Sequence, residues 1–233
     1  MKEKPTIMDK LSKVITLTGT AVLINLVFLV FCIPIVTIGQ AWCGLMTAIR
    51  YNIRGEGWFK GFMIGFKRRF LRGTIAWIIG LLGALYLLND IQVALTQSAV
   101  TNEAIAPLIA SCAMFAFLAV LLHSALTLNV YIPTNVSNWI RNTVNLGLKG
   151  FIQVLVGAAF FWGPALVFCF VSAWLLYELA IVLLFAYFAV GGLVTTMLLK
   201  GQLTAILVDC RKEGLLTAEE GAAAPQEEED GEA

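Results

Sequence analysis

Few residues in this chain could do covalent chemistry. There is one histidine, His123, and five cysteines, Cys32, Cys43, Cys112, Cys169 and Cys210. Catalysis inside a membrane would ask for a serine, histidine or aspartate constellation within hydrogen-bond reach. His123 with its neighbour Ser124 and the more distant Ser111 does not make one. A metal site has equally little to be built from, since the chain has no HExxH, no CxxC and no paired Cys/His cluster. The cysteines sit mostly in apolar runs, where a free thiol behaves as a small hydrophobe. We read them as reduced and structural, and His123 as a packed or interfacial side chain. No Walker A loop is present, so an ATPase is excluded. The expectation is a non-enzymatic protein with no cofactor and no metal.

What remains is chemistry of recognition, carried by two adjoining segments. Residues 34 to 55 read PIVTIGQAWCGLMTAIRYNIRG. On a helix, Gln40, Cys43, Gly44, Thr47, Arg50, Tyr51 and Arg54 share one small, polar face, while Ile38, Trp42, Leu45, Met46, Ile49 and Ile53 occupy the other. In hydrocarbon such a stripe faces other helices, because small residues permit close approach and polar ones find partners there. Packing within the chain is the favoured reading; a ligand path or a subunit interface is the sharper one. Gln40, Gly44, Thr47, Arg50 and Arg54 are the candidate partner contacts.

The second segment, GEGWFKGFMIGFKRRFLRG, places Phe59, Phe62, Met63, Phe66 and Phe70 within about 100° of arc on a helix. Lys60, Lys67, Arg68, Arg69 and Arg72 occupy the remainder. This is the pattern of an amphipathic helix lying at a membrane surface, with rings at the acyl boundary and cations among anionic headgroups. Phe59, Phe62, Phe66, Lys67, Arg68, Arg69 and Phe70 are therefore the candidate lipid-interface residues. The charges alone do not suggest nucleic acid, for no supporting fold motif accompanies them. Residues 134 to 149 repeat the pattern weakly, with a helix cap at Thr134 or Asn135.

These segments must be positioned by membrane helices. Of 233 residues, 59% are hydrophobic and 13% charged, with mean hydropathy +0.85, against roughly 25% charged in soluble domains. A chain of this size cannot hide several apolar runs of about 20 residues in one soluble core. Spans are expected at about 14–33, 73–94, 104–132, 150–172 and 177–200, with the last two joined near Ser172 to Glu178. The first run lacks an A-x-A-like site and is expected to stay attached.

All sixteen basic residues can be placed by segment. Lys2, Lys4, Lys10 and Lys13 precede the first span, seven lie between Arg50 and Arg72, and Arg141, Lys149, Lys200, Arg211 and Lys212 complete the set. Cations near span ends stay cytoplasmic. If residues 14 to 54 crossed once, either the lysines or the belt would be left outside, so 37–54 is expected to return as a short pass. Thr37 to Arg54 as a helix is about 27 Å long, close to a hydrocarbon core of about 30 Å. A re-entrant hairpin gives the same sidedness. The expected fold is an all-α, polytopic membrane helix bundle of about six passes, the first two a short hairpin, with both termini cytoplasmic. A helical extension over 201–214 and a disordered acidic tail over 215–233 follow; the tail carries seven acidic residues and no base.

The stretch NLVFLVFCIPIVTIGQAWCGLMTAIRYNIRGEG, followed by FKGFMIGFKRRF, resembles the YesL family of bacterial integral membrane proteins, over roughly residues 15 to 200. Pro34, Thr37, Gly39, Arg50, Arg54, Phe66, Lys67 and Phe70 carry the resemblance. The family often shows FKxNF, whereas Arg68 and Arg69 stand between Lys67 and Phe70 here. The resemblance implies a multi-pass plasma-membrane protein of Gram-positive-type bacteria, typically encoded beside carbohydrate ABC importers. It further implies an accessory subunit or assembly and regulatory factor, with membrane lipids and an ABC permease as partners. A small stand-alone transporter or channel is the alternative. Its mid-membrane polar groups would be Gln40, Thr47, Gln153, Thr195 and Thr196, all uncharged.

Overall fold

The computed structural model describes residues 7–98, 105–170 and 187–212, with side chains for 19–97, 105–163 and 187–211. Among these residues every regular element is helical. Helix α1 is Ile7–Cys32, and a 3₁₀ turn follows over Ile35–Thr37. Pro34 stops α1, because a proline has no N–H and disfavours a helical residue before it. Thr37 locks the corner by donating its hydroxyl to the carbonyls of Phe31 at 2.6 Å and Pro34 at 2.7 Å.

Helix α2, Ile38–Ile53, ends in a Schellman motif. Gly55 sits in the left-handed region at φ 75°. Its N–H bonds the carbonyl of Asn52 at 3.0 Å, and that of Glu56 bonds Tyr51 at 2.8 Å. Helices α3, Trp58–Lys67, and α4, Phe70–Ser98, follow. Next come α5, Ile105–Tyr131, and α6, Val136–Lys149, whose N-terminus is capped by Asn135 accepting from the Asn138 N–H at 3.3 Å. Helix α7 is Phe151–Phe170 and α8 is Phe188–Lys212. The junction expected near Ser172 to Glu178 and the acidic tail lie outside the described residues.

Phe70–Gln97, Ile105–Tyr131 and Phe188–Arg211 are long and apolar enough to cross a membrane. A fourth span results if Val136–Lys149 and Phe151–Gly163, bent by 101°, count as one. The chain is thus an all-α membrane protein, with three or four such helices among the described residues.

Close glycine contacts fix the helix directions. Gly80 and Gly83 of α4 face Leu122 and Leu118 of α5, so these two run antiparallel. Gly157 of α7 meets His123 of α5, and Trp162 meets Phe115, an antiparallel pair again. Gly150, Gly157 and Phe160 of α7 then pair with Gln202, Thr195 and Gly191 of α8. Helices α4 and α7 therefore point one way, α5 and α8 the other. The end of the bundle holding the start of α4 and the end of α5 also holds Arg50, Arg69 and Arg72, and we call it the basic end.

Asn25 accepts the N–H of Phe188 at the start of α8, while Phe31 packs on Phe66, which packs on Phe70 at the start of α4. Helix α1 therefore runs toward the basic end, in the same direction as α8. Helix α2 meets α4 where Gly39 approaches Trp77, α5 where Cys43 bonds the Leu126 carbonyl and Arg50 lies over Tyr131 at 4.5 Å, and α8 where Leu45 and Ile49 reach Gly192.

Candidate functional site

Helix α2 is the centre of the molecule. Every residue from Gly39 to Ile49 is buried, on the polar face as well as the apolar one. The apolar face sets Trp42 against Phe28, Phe161 and His123, and Leu45, Met46 and Ile49 against Gly192. The polar face packs on α3, for Gly44 receives the Phe62 ring, and Gly65 and Gly61 receive Thr47 and Tyr51. The sequence Gly61-Phe-Met-Ile-Gly65 is a small-xxx-small spacing of the kind that lets helix backbones approach closely. A Cβ on Gly65 would lie 2.7 Å from the Cys43 carbonyl. Sequence reasoning overlooked this pair, although its spacing was the signal.

The candidate partner contacts divide accordingly. Gln40, Gly44 and Thr47 are enclosed by the chain's own helices. Gln40 donates through Nε2 to the Arg68 carbonyl at 3.2 Å, and Thr47 donates its hydroxyl to the Cys43 carbonyl at 2.9 Å. Arg50 is half-buried and Arg54 exposed, both at the basic end.

The candidate lipid-interface residues also divide. Phe59 is 52% exposed, while Phe62 is fully buried. Phe62 and Phe66 pack on Phe31 of α1 at 5.1 and 4.8 Å, and Phe66 carries the row on to Phe70. Most of the aromatic arc therefore seals α3 to α1, with Lys60 and Lys67 left exposed.

Arg69 and Arg72 turn inward. Arg69 donates through Nη1 to the carbonyls of Ile132 at 3.0 Å and Asn129 at 3.4 Å. Arg72 donates to the Thr134 carbonyl at 2.9 Å and lies 5.5 Å from the Trp139 ring. The last carbonyls of a helix have no intrahelical partner and carry the negative end of its dipole, so the Arg69 guanidinium is suited to them, while Arg72 ties down the connection to α6. Trp139 completes the brace by donating to the Ala125 carbonyl at 3.0 Å.

Between α2 and α8 this end opens a cavity of about 430 Å³, lined by Arg50, Arg54 and Lys200 beside Tyr131. The Tyr131 hydroxyl is 2.9 Å from that of Thr196. At the opposite end of α5, Ser111 donates to Asp90. His123 is fully buried, 3.4 Å from the Thr195 hydroxyl and packed at a tilt against Trp42 and Phe161. Twelve residues of helix, about 18 Å, separate His123 from Ser111. The residues weighed for catalysis are thus not brought together. Among the described residues, no three His, Cys, Asp or Glu side chains are grouped to hold a metal ion.

Residues 21–91 match the family model described as "Protein of unknown function, DUF624". The match covers the apolar part of α1, all of α2 and α3, and most of α4, which is the unit built around the buried helix. No curated protein and no solved structure matches the chain.

Proposed function

We propose that the protein is a non-enzymatic accessory subunit, or an assembly and regulatory factor, of a carbohydrate ABC importer in the bacterial plasma membrane. The resemblance to the YesL family motivates the partner. The observation that carries the reading is the use made of the polar stripe. Gln40 bonds to the α3–α4 corner, and Cys43 and Asn129 join α2 to α5, while Thr47 bonds back to the Cys43 carbonyl within α2. The polar centre thereby joins α2 to its surroundings, as suits a rigid body that docks on another membrane protein. In this reading the basic end is cytoplasmic, because Arg50, Arg54, Lys67, Lys149 and Lys200 gather toward it. The α2–α3 pair is re-entrant from that side, and the direction of α1 favours an amino terminus on the opposite face from Lys67. That makes five traverses where charge counting gives six.

Tagged protein purified from native membranes should bring down an ABC permease. Recovery of the protein alone, together with sugar flux into liposomes that contain it, would replace this reading with that of a stand-alone transporter. One observation favours that second reading. His123 Nδ1, Ser124 Oγ and Thr127 Oγ1 lie close in sequence along buried α5 with no hydrogen-bond partner, and polar groups at such depth are characteristic of transport paths.

A further inference from the structure

We infer that the cavity between α2 and α8 at the basic end binds the headgroup phosphate of an anionic phospholipid, with one acyl chain running along its apolar wall. Arg50, Arg54 and Lys200 line it, and no Asp or Glu is among its lining residues. The Arg54 and Arg68 charges act on Arg50, and both repel it. Among the described residues, no carboxylate pairs with Arg50, Arg54 or Lys200. Arg50 is instead held by its face, 4.5 Å from the Tyr131 ring centroid. Stacking of this kind fixes a guanidinium while leaving its N–H edge free to donate. Three gathered cations with open donors fit the oxygens of a phosphate.

The rest of the lining decides which phosphate. Ile53, Met197, Leu203 and Leu207 form the remaining wall, and Ile53 and Met197 are 52% and 67% exposed. A sugar phosphate or nucleotide would present hydroxyl protons, which need carboxylate or amide acceptors, and the lining includes no Asp, Glu, Asn or Gln. A free phosphate would leave the apolar wall uncovered. A phospholipid satisfies both halves. The depth is suitable as well, since Lys200 is the first charged residue after the apolar run Phe188–Leu199 of α8, where a lysine head reaches for the headgroup layer.

The test uses full-length protein in nanodiscs of phosphatidylcholine with or without phosphatidylglycerol. Lipid retained after detergent extraction is counted by native mass spectrometry, and the thermal midpoint is recorded beside it. Wild type should retain phosphatidylglycerol over phosphatidylcholine. Lys200→Gln alters an exposed side chain, so the bundle should still form, and retention should fall about fivefold, the scale set by one cation at a membrane surface. Arg50→Gln/Arg54→Gln/Lys200→Gln should abolish the preference, whereas Lys60→Gln/Lys67→Gln, exposed and outside the cavity, should leave it unchanged. Equal retention of the two lipids by wild type would overturn the assignment, as would full retention by the Lys200 variant. Stabilisation by inorganic phosphate equal to that by phosphatidylglycerol would overturn it too, by making the ligand a free anion. None of these readouts needs a permease, so the site can fail or stand independently of the proposed function.

Discussion

Arg69 of the α3–α4 corner donates to the carbonyl of Ile132, sixty-three positions along the chain, at 3.0 Å. It does so from a left-handed backbone, φ 49°, the one non-glycine residue at positive φ among those described. Left-handed geometry costs an L-residue about 1–2 kcal/mol. The bonds to the Ile132 and Asn129 carbonyls offset that cost, since a charged donor on the end of a helix contributes about 1.5–3 kcal/mol. Arg69→Ala should therefore lower stability by about 1–3 kcal/mol, losing the bonds while keeping the strain. Arg69→Gly should lose less, because glycine adopts this φ freely. Thermal unfolding in detergent measures both, and equal losses would refute the strain argument.

The α2–α3 contact makes a sharper demand. A Cβ at Gly65 would stand 2.6 Å from the Thr47 Cβ and 2.7 Å from the Cys43 carbonyl, whereas one at Gly201 would meet nothing within 4 Å. Gly65→Val should destabilise by about 1–3 kcal/mol through overpacking, and by more if the helices cannot part. Gly201→Ala, in mid-helix, should instead stabilise by up to about 1 kcal/mol. Opposite signs in the same melting assay are the expected outcome. A tolerated Gly65→Val would mean that α3 is not held against α2.

The helices were legible because apolar runs of membrane length are a strong signal. Observed α5, Ile105–Tyr131, falls within the 104–132 span read from the sequence. The polar stripe of α2 was legible as a stripe, but Gln40 and Arg54 share it while one is enclosed and the other exposed. Helical projection gives the angle of a residue about its helix and not which neighbour lies there. The belt shows the same limit. Arg69 and Lys67 are two residues apart and equally basic, yet one braces α5 and the other faces outward. That outcome depends on the corner after α3 and on carbonyls more than sixty positions away, which no local pattern encodes.

The direction of α1 yields a topological prediction. With Asn25 bound to the start of α8 and Phe31 beside the start of α4 by way of Phe66, residue 2 and residue 67 should lie on opposite faces. Lys2→Cys and Lys67→Cys, each in a background lacking the native cysteines, are to be labelled in sealed vesicles with a membrane-impermeant maleimide. Opposite accessibility is expected. Labelling from the same side would restore the six-pass arrangement that charge counting favours, and α2 would then have to cross fully.

At the α2 end, Lys200 separates partner docking from lipid binding. Arg54 is exposed at the Schellman corner and Arg50 is steadied on Tyr131, so both can reach a neighbouring protein at the basic end. Arg50→Leu/Arg54→Leu should lower recovery of a permease from native membranes at least about fivefold, the loss expected when a residue worth more than 1 kcal/mol leaves an interface. Tyr131→Phe keeps the ring under Arg50 and removes only the bond to Thr196, so recovery should hold. Lys200→Gln should reduce retained phosphatidylglycerol while leaving permease recovery intact, because its contact is to lipid. If the double leucine variant recovers as much permease as wild type, the docking surface lies elsewhere on the bundle, and the exposed apolar face of α4 around Ile79, Leu82 and Tyr86 becomes the place to look for it.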